Sequence, residues 1–198
     1  AGIIRPVAGK ILVNGQDLTG CSYHTFLEHK VAFLPASRLE EGLVPGLSLA
    51  EHFILAEKQG GIFINRERAN ALAQSRIADF SIIGTSATRV ENLSGGNQQR
   101  ALLALLKTPL SILLLEHPTR GLDIESSIYI WQKLKERCRQ GTAILFISPD
   151  LEEVLQYSDR IIVFFSGRVS PALDAANTTV EQLGQLIGGK NWSEAFAS

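Results

Sequence analysis

Methionine is absent from all 198 residues, position 1 included, and cysteine is limited to Cys21 and Cys138. The missing Met is expected of a segment taken from a longer chain. Two cysteines this far apart make no metal-ligand spacing and no disulfide framework, so two reduced cytosolic thiols are expected. Long apolar runs are also lacking. Stretches such as Ile112 to Leu115, Ala143 to Ile147 and Ile161 to Phe165 fall far short of the roughly 18 residues of a membrane span. No basic run of five or more occurs and the net charge is -1, which argues against nucleic acid as the main partner. No signal-peptide pattern is visible.

A hydrophobic fraction of 45% over this length suits one domain with a sizeable core, with room for an inserted subdomain. Asn14-Gly15 predicts a tight hairpin, because both turn positions need positive φ. Val31 to Leu34 reads as a short strand stopped by Pro35. Residues 36 to 50 read as a loop rich in Gly, Pro and charge. Over 66 to 80, Ala69, Leu72, Ala73, Ile77 and Phe80 share one helical face. Residues 97 to 107 read as a buried helix. Ser111 to Leu115 and Thr142 to Ser148 read as strands covered on both faces.

Between those two strands, residues 125 to 139 predict an amphipathic helix with Ile128, Trp131, Leu134 and Cys138 inward and Gly141 as its stop. Asp150 opens a further helix with a capping-box pattern. Ile161 to Phe165 reads as a third strand, closed by Ser166-Gly167. Strand and helix alternate, so an α/β domain with a largely parallel sheet is expected. Residues 177 to 198 read as a short helix and a loose polar tail.

Leu93-Ser94-Gly95-Gly96-Asn97-Gln98-Gln99-Arg100 is the most restrictive pattern in the chain. Its five most restrictive residues arise by chance in a chain of this size on the order of once in ten thousand. Ser94 can cap a helix and offer a hydroxyl to a phosphate. Gly95 and Gly96 let backbone N–H groups approach an anion, and the helix N-terminus adds positive partial charge. The pattern resembles the signature motif of ATP-binding-cassette (ABC) ATPases, in the form common in sugar and nucleoside importers. The segment Ile112-Leu113-Leu114-Leu115-Glu116-His117-Pro118-Thr119-Arg120-Gly121-Leu122-Asp123 resembles the Walker B strand and D-loop of that family, usually LLLDEPTRGLD.

That resemblance implies a RecA-like P-loop NTPase core, an inserted helical subdomain at about 38 to 95 and part of an antiparallel β subdomain. The domain would span 1 to 176. It also implies two cassettes paired head to tail, permease partners and, indirectly, a solute-binding protein. The cofactors would be ATP and Mg²⁺, and the location the inner face of the cell membrane. Ser94, Gly95, Gly96, Asn97 and Gln98 would serve ATP held by the partner cassette. Glu116 would hold Mg²⁺, His117 stands where the family has its water-polarising Glu, and Asp123 would link the two sites.

Two further positions depart from the family. Pro149 occupies the H-loop position and has neither a side-chain donor nor an N–H. Ala36 replaces the Gln or Glu of the Q-loop position, before a stretch similar to PEDRxxEGLVPGLS. Gly9-Lys10 is a decoy, since Ile4 and Ile11 stand where a phosphate loop needs Gly and Ser or Thr. Residues 1 to 6 resemble the end of the helix after the Walker A loop, so that loop is expected to be missing rather than mutated. The substitutions at 36, 116, 117 and 149 match a degenerate second cassette. Such a chain could act as signature donor and scaffold. A soluble ABC protein of translation or chromosome maintenance fits less well, because its long charged linkers are not seen. Residues 36 to 50, with apolar Leu43, Val44, Pro45 and Leu47, are expected to dock a transmembrane subunit.

Overall fold

Asn14 and Gly15 take φ of 50° and 79°, and the chain turns there from β1 (Leu12–Val13) into antiparallel β2 (Gln16–Asp17). The computed structural model describes residues 2–57 and 66–192. It divides into two compact units, Ala1–Phe146 and Ile147–Ser198.

In the first unit, Ser22 caps α1 (Tyr23–Glu28) through its side chain, and β3 (Val31–Leu34) follows. β3 lies parallel to β4 (Ile112–Glu116), with Val31 opposite Ile112 and Leu34 opposite Leu115. β5 (Ala143–Ile147) completes the order β3-β4-β5. A parallel neighbour requires a crossover. Here the chain between β3 and β4 is long enough to hold a whole helical layer. That layer is α2 (Leu49–Ala56), α3 (Arg66–Asp79) and α4 (Gly95–Leu105), which pack on one another.

α5 (Ile124–Arg139) crosses back between β4 and β5. Its inner residues are Ile130, Trp131, Leu134 and Arg137. Ile128 is 47% exposed and Cys138 is also exposed, so the expected stripe through 128 and 138 is corrected by part of a turn. Arg137 takes the inner place because its Nη2 donates to the Leu103 carbonyl at the last turn of α4 (3.1 Å). A cation is favoured at a helix C-terminus, and the carbonyl gains a donor that Cys138 would offer only weakly. Gly141, at φ 94°, ends the helix with its N–H on the Cys138 carbonyl.

β5 also departs from expectation. Its alternate residues Leu145 and Ile147 are 60% and 62% exposed, so the strand is not covered on both faces. It stands at the edge of the order β3-β4-β5. An apolar run alone cannot tell an edge strand from a central one.

In the second unit Asp150 caps α6 (Leu151–Tyr157) by accepting from the Glu152 and Glu153 amides. The expected third parallel strand is instead two short antiparallel pieces. β6 (Arg160–Ile161) pairs with β9 (Leu173–Asp174), and β7 (Phe164–Phe165) pairs with β8 (Arg168–Val169). The reason is local. Ser166 and Gly167 have φ of 47° and 76°, the tight turn that folds a strand back on itself. α7 (Val180–Ile187) carries a reciprocal capping box between Thr179 and Gln182. Ile161, Val163, Ala175, Leu183, Leu186 and Trp192 form the core of this unit. Trp192, in the segment read as a loose tail, donates its indole N–H to the Leu186 carbonyl (2.8 Å). Residues 193–198 of that segment lie outside the described residues. No helix among the described residues is long and apolar enough to cross a membrane.

Candidate functional site

α4 begins at the signature residues. Ser94 is its N-cap, with φ -62° and ψ 157°. The Ser94 hydroxyl oxygen accepts from the Asn97 amide (3.4 Å) and from Asn97 Nδ2 (2.9 Å). Both lone pairs are thereby used, and the exposed hydroxyl is left as a donor. Helix geometry leaves the Gly95 and Gly96 amides without an intrahelical acceptor. The turn therefore presents one O–H and two N–H groups at the positive end of a helix.

The next three side chains hold the turn rather than line it. Asn97 Oδ1 accepts from the Ile83 amide (2.8 Å). Gln98 is buried and its Nε2 donates to the Val90 and Leu93 carbonyls, each at 3.2 Å. Gln99, 2% exposed, accepts from Arg38 Nε (2.8 Å). Arg100 donates to the Ser81 carbonyl (2.7 Å) and its guanidinium lies 4.1 Å over the Tyr129 ring. Asn97 and Gln98, expected among the ATP-serving residues, thus spend their side chains on the loops before α4.

The second glycine of the turn has a packing role that sequence reading did not supply. A Cβ on Gly96 would stand 2.6 Å from Ser126 Oγ and 3.2 Å from Ser126 Cβ. The start of α4 therefore rests on the start of α5. Asp123 caps α5 there, its two carboxylate oxygens accepting from the Ser126 amide (2.8 Å) and hydroxyl (2.9 Å). Those hydrogen bonds, the amide first, hold the Asp123 carboxyl below its ordinary value. The signature turn and the Asp123 turn are one contiguous surface.

Glu116 ends β4, half-buried. Among the described residues no group of three or more His, Cys, Asp or Glu is placed to hold a metal. Glu116 fits as one carboxylate beside an ion whose other ligands are phosphate and water, the usual habit of Mg²⁺. His117 has φ 46°, an uncommon region for a side-chain-bearing residue in which His is among the enriched types. Its Nδ1 is buried with no hydrogen-bond partner among the described residues. Its carbonyl accepts from the Arg120 amide (3.1 Å), which tightens the turn toward Asp123.

Ala36 lies half-buried in the segment after β3. Pro149 is exposed and belongs to the second unit. In the expected docking segment Leu43 is 3% exposed and Val44 is 53% exposed. Leu43 is therefore a core residue, a correction to its reading as surface, while Val44 and Pro45 are the apolar side chains presented and Leu47 is half-buried. The Val44 amide donates to His52 Nε2 (2.8 Å), and the other ring nitrogen lies 2.8 Å from the Ser48 carbonyl. His52 thus fixes the loop to α2.

The family described as ABC transporter matches residues 1–120. This chain belongs to that family. A xylose import ATP-binding protein of Photobacterium profundum is 33% identical over 89% of this chain and 36% of its own length. A nucleoside import ATP-binding protein of Lactococcus lactis is 32% identical over 98% of this chain and 40% of its own length. The chain thus spans well under half the length of these curated relatives. The solved ATP-binding cassette MJ1267, in its ADP conformation, superposes with a TM-score of 0.72 at 16% identity, covering 100% of this chain and 80% of that one. The fold is that of the ABC ATPase domain, the P-loop NTPase class. Membership implies nucleotide, ordinarily with Mg²⁺, as the ligand of the assembled site.

Proposed function

We propose that this chain is the signature-bearing part of an ATP-binding cassette that drives an importer of simple sugars or nucleosides. Its turn at Ser94, Gly95 and Gly96 closes over ATP held by the Walker A loop of a second cassette. The observation that carries the reading is the Ser94 turn itself, a free hydroxyl donor and two free amides at the N-terminus of an 11-residue helix. These groups meet the γ-phosphate only when two cassettes close, so they act on the reactive state more than on ground-state binding. Glu116 then serves as the carboxylate beside Mg²⁺, and the Asp123 cap keeps the adjoining turn rigid. The partners are the second cassette and permease subunits at the inner face of the cell membrane, with a solute-binding protein upstream of them.

The test is Ser94→Arg in the assembled transporter. kcat falls at the site shared with the partner while KM for ATP stays within about threefold. Full turnover with Ser94→Arg rejects the reading.

A second reading is favoured by His117. An imidazole replaces the expected carboxylate, and its unpartnered Nδ1 is turned inward. On that reading the chain's own catalytic position is silent and the chain serves as donor and scaffold. His117→Glu in the same assembly separates the two, since a silent site gains turnover when the carboxylate is restored.

A further inference from the structure

Arg38 follows β3 in sequence and reaches both turns of the site. It opens a π-helical turn, Arg38–Gly42, which closes with the Leu43 amide on the Arg38 carbonyl (2.6 Å). Its guanidinium spreads in three directions. Nε donates to Gln99 Oε1 on α4 (2.8 Å), and Nη2 donates to the Arg120 carbonyl in the turn after β4. Nη1 lies 3.3 Å from where a Cβ on Gly95 would stand. One planar group therefore bonds the signature helix and the turn leading to Asp123, and fills the space a side chain at the first signature glycine would need. It is anchored in the same segment, 36 to 50, that carries exposed Val44.

Both acceptors are neutral, an amide and a carbonyl. Burial, and then the charge of Arg120, push the Arg38 guanidinium down from its ordinary value. An arginine kept in such a place is held for its geometry. A rigid fork can satisfy acceptors on two different elements at once, which the single ammonium of lysine does poorly.

Resting on the reading of Ser94 as the ATP-facing turn, we infer that Arg38 is a positioning residue. It sets the spacing between the signature turn and the Asp123 turn, and ties that spacing to the loop between β3 and α2. Arg38 transfers no proton and need not touch ATP. Its effect is on how well two surfaces arrive together at the nucleotide, where a displacement of about 1 Å can cost on the order of a hundredfold in rate.

The experiment has two arms. In the assembled transporter, Arg38→Lys and Arg38→Gln are each expected to lower kcat at least roughly tenfold with KM for ATP changed less than about threefold. Lys is expected to fall as far as Gln, because charge alone does not reproduce the fork. Gln99→Leu should give the same kinetic split, and Arg38→Lys with Gln99→Leu should be no worse than either alone. In the full chain, nuclear magnetic resonance of the arginine side chains should show the Arg38 Nε proton slowed in exchange, and Gln99→Leu should release it. Retained kcat in Arg38→Lys, or an Arg38 Nε proton exchanging like a solvated one, overturns the inference. Slowed exchange combined with full turnover in Ser94→Arg would instead leave the Arg38–Gln99 contact standing and remove the ATP reading on which the inference rests.

Discussion

Replacing Gly96 with Ala should destabilise the first unit, although the substitution favours a helix. Two effects oppose each other. Alanine is better than glycine in a helix interior by up to about 1 kcal/mol, and by less in the first turn. Against this, the new Cβ would lie 2.6 Å from Ser126 Oγ and 3.2 Å from Ser126 Cβ. Ser126 cannot swing away freely, because its hydroxyl and its amide are both bound by Asp123. Relief therefore needs movement of α4 against α5, and such overpacking costs typically about 1–3 kcal/mol. The balance is a loss of about 1–2 kcal/mol, or roughly 2–4 °C in Tm for each kcal/mol in a domain of this size. Denaturation of the parent, Gly96→Ala, Ser126→Gly and the double variant completes a cycle. A favourable coupling of about 1 kcal/mol between the two substitutions is expected. If Gly96→Ala is as stable as the parent, or if Ser126→Gly gives it no relief, the close approach of the two helix starts is wrong.

Four further outcomes are expected. The 198-residue chain holds no Gly-rich phosphate loop, so calorimetry with Mg-ATP should show no binding in the micromolar range, and a single micromolar site would contradict this. Val44→Asp should weaken co-purification of the permease while leaving the denaturation midpoint unchanged, whereas Leu43→Asp, at a site 3% exposed, should unfold the unit by burying an unpaired charge. Hydrogen bonds hold the carboxyls of Asp123, Glu51 and Glu91 below their ordinary 3.8, 4.5 and 4.5. The stability they lend is fully present above those values and is lost as pH falls through the lowered ones; an acid titration by circular dichroism in which Glu51→Gln and the parent lose structure at the same pH would count against it. Leu134→Ala removes a fully buried side chain and should cost about 2–5 kcal/mol, read by urea denaturation.

Local rules carried much of the fold. Positive φ at Asn14-Gly15, the Gly141 helix stop and the Ser94 and Asp150 caps are each written in a few adjacent residues, and the structure forms them. The sheet order was less accessible. Ile161 to Phe165 has the composition of a buried strand, yet Ser166-Gly167 folds it into a hairpin, because a turn outranks a run of apolar residues. Ile128 and Cys138 fit a helical stripe as well as Ile130 and Arg137 do. The Leu103 carbonyl, distant in sequence, favours Arg137 over Cys138 at the inner place. In the site, the signature turn was legible because its glycines and serine are rare in that order. Arg38 and Ser126 were not, since their roles depend on residues 61 and 30 positions away that only folding brings near.

The central claim is that Ser94 and the two glycines after it face a γ-phosphate supplied by another cassette. The most direct measurement labels that contact. The assembled transporter is illuminated with an ATP analogue carrying an aryl azide on its γ-phosphate, and the cross-linked peptides are identified by mass spectrometry. The account predicts label on this chain within the Ser94–Gln98 stretch, dependent on Mg²⁺ and lost in Ser94→Arg. Label confined to the partner cassette, or placed on this chain away from the start of α4, would contradict it.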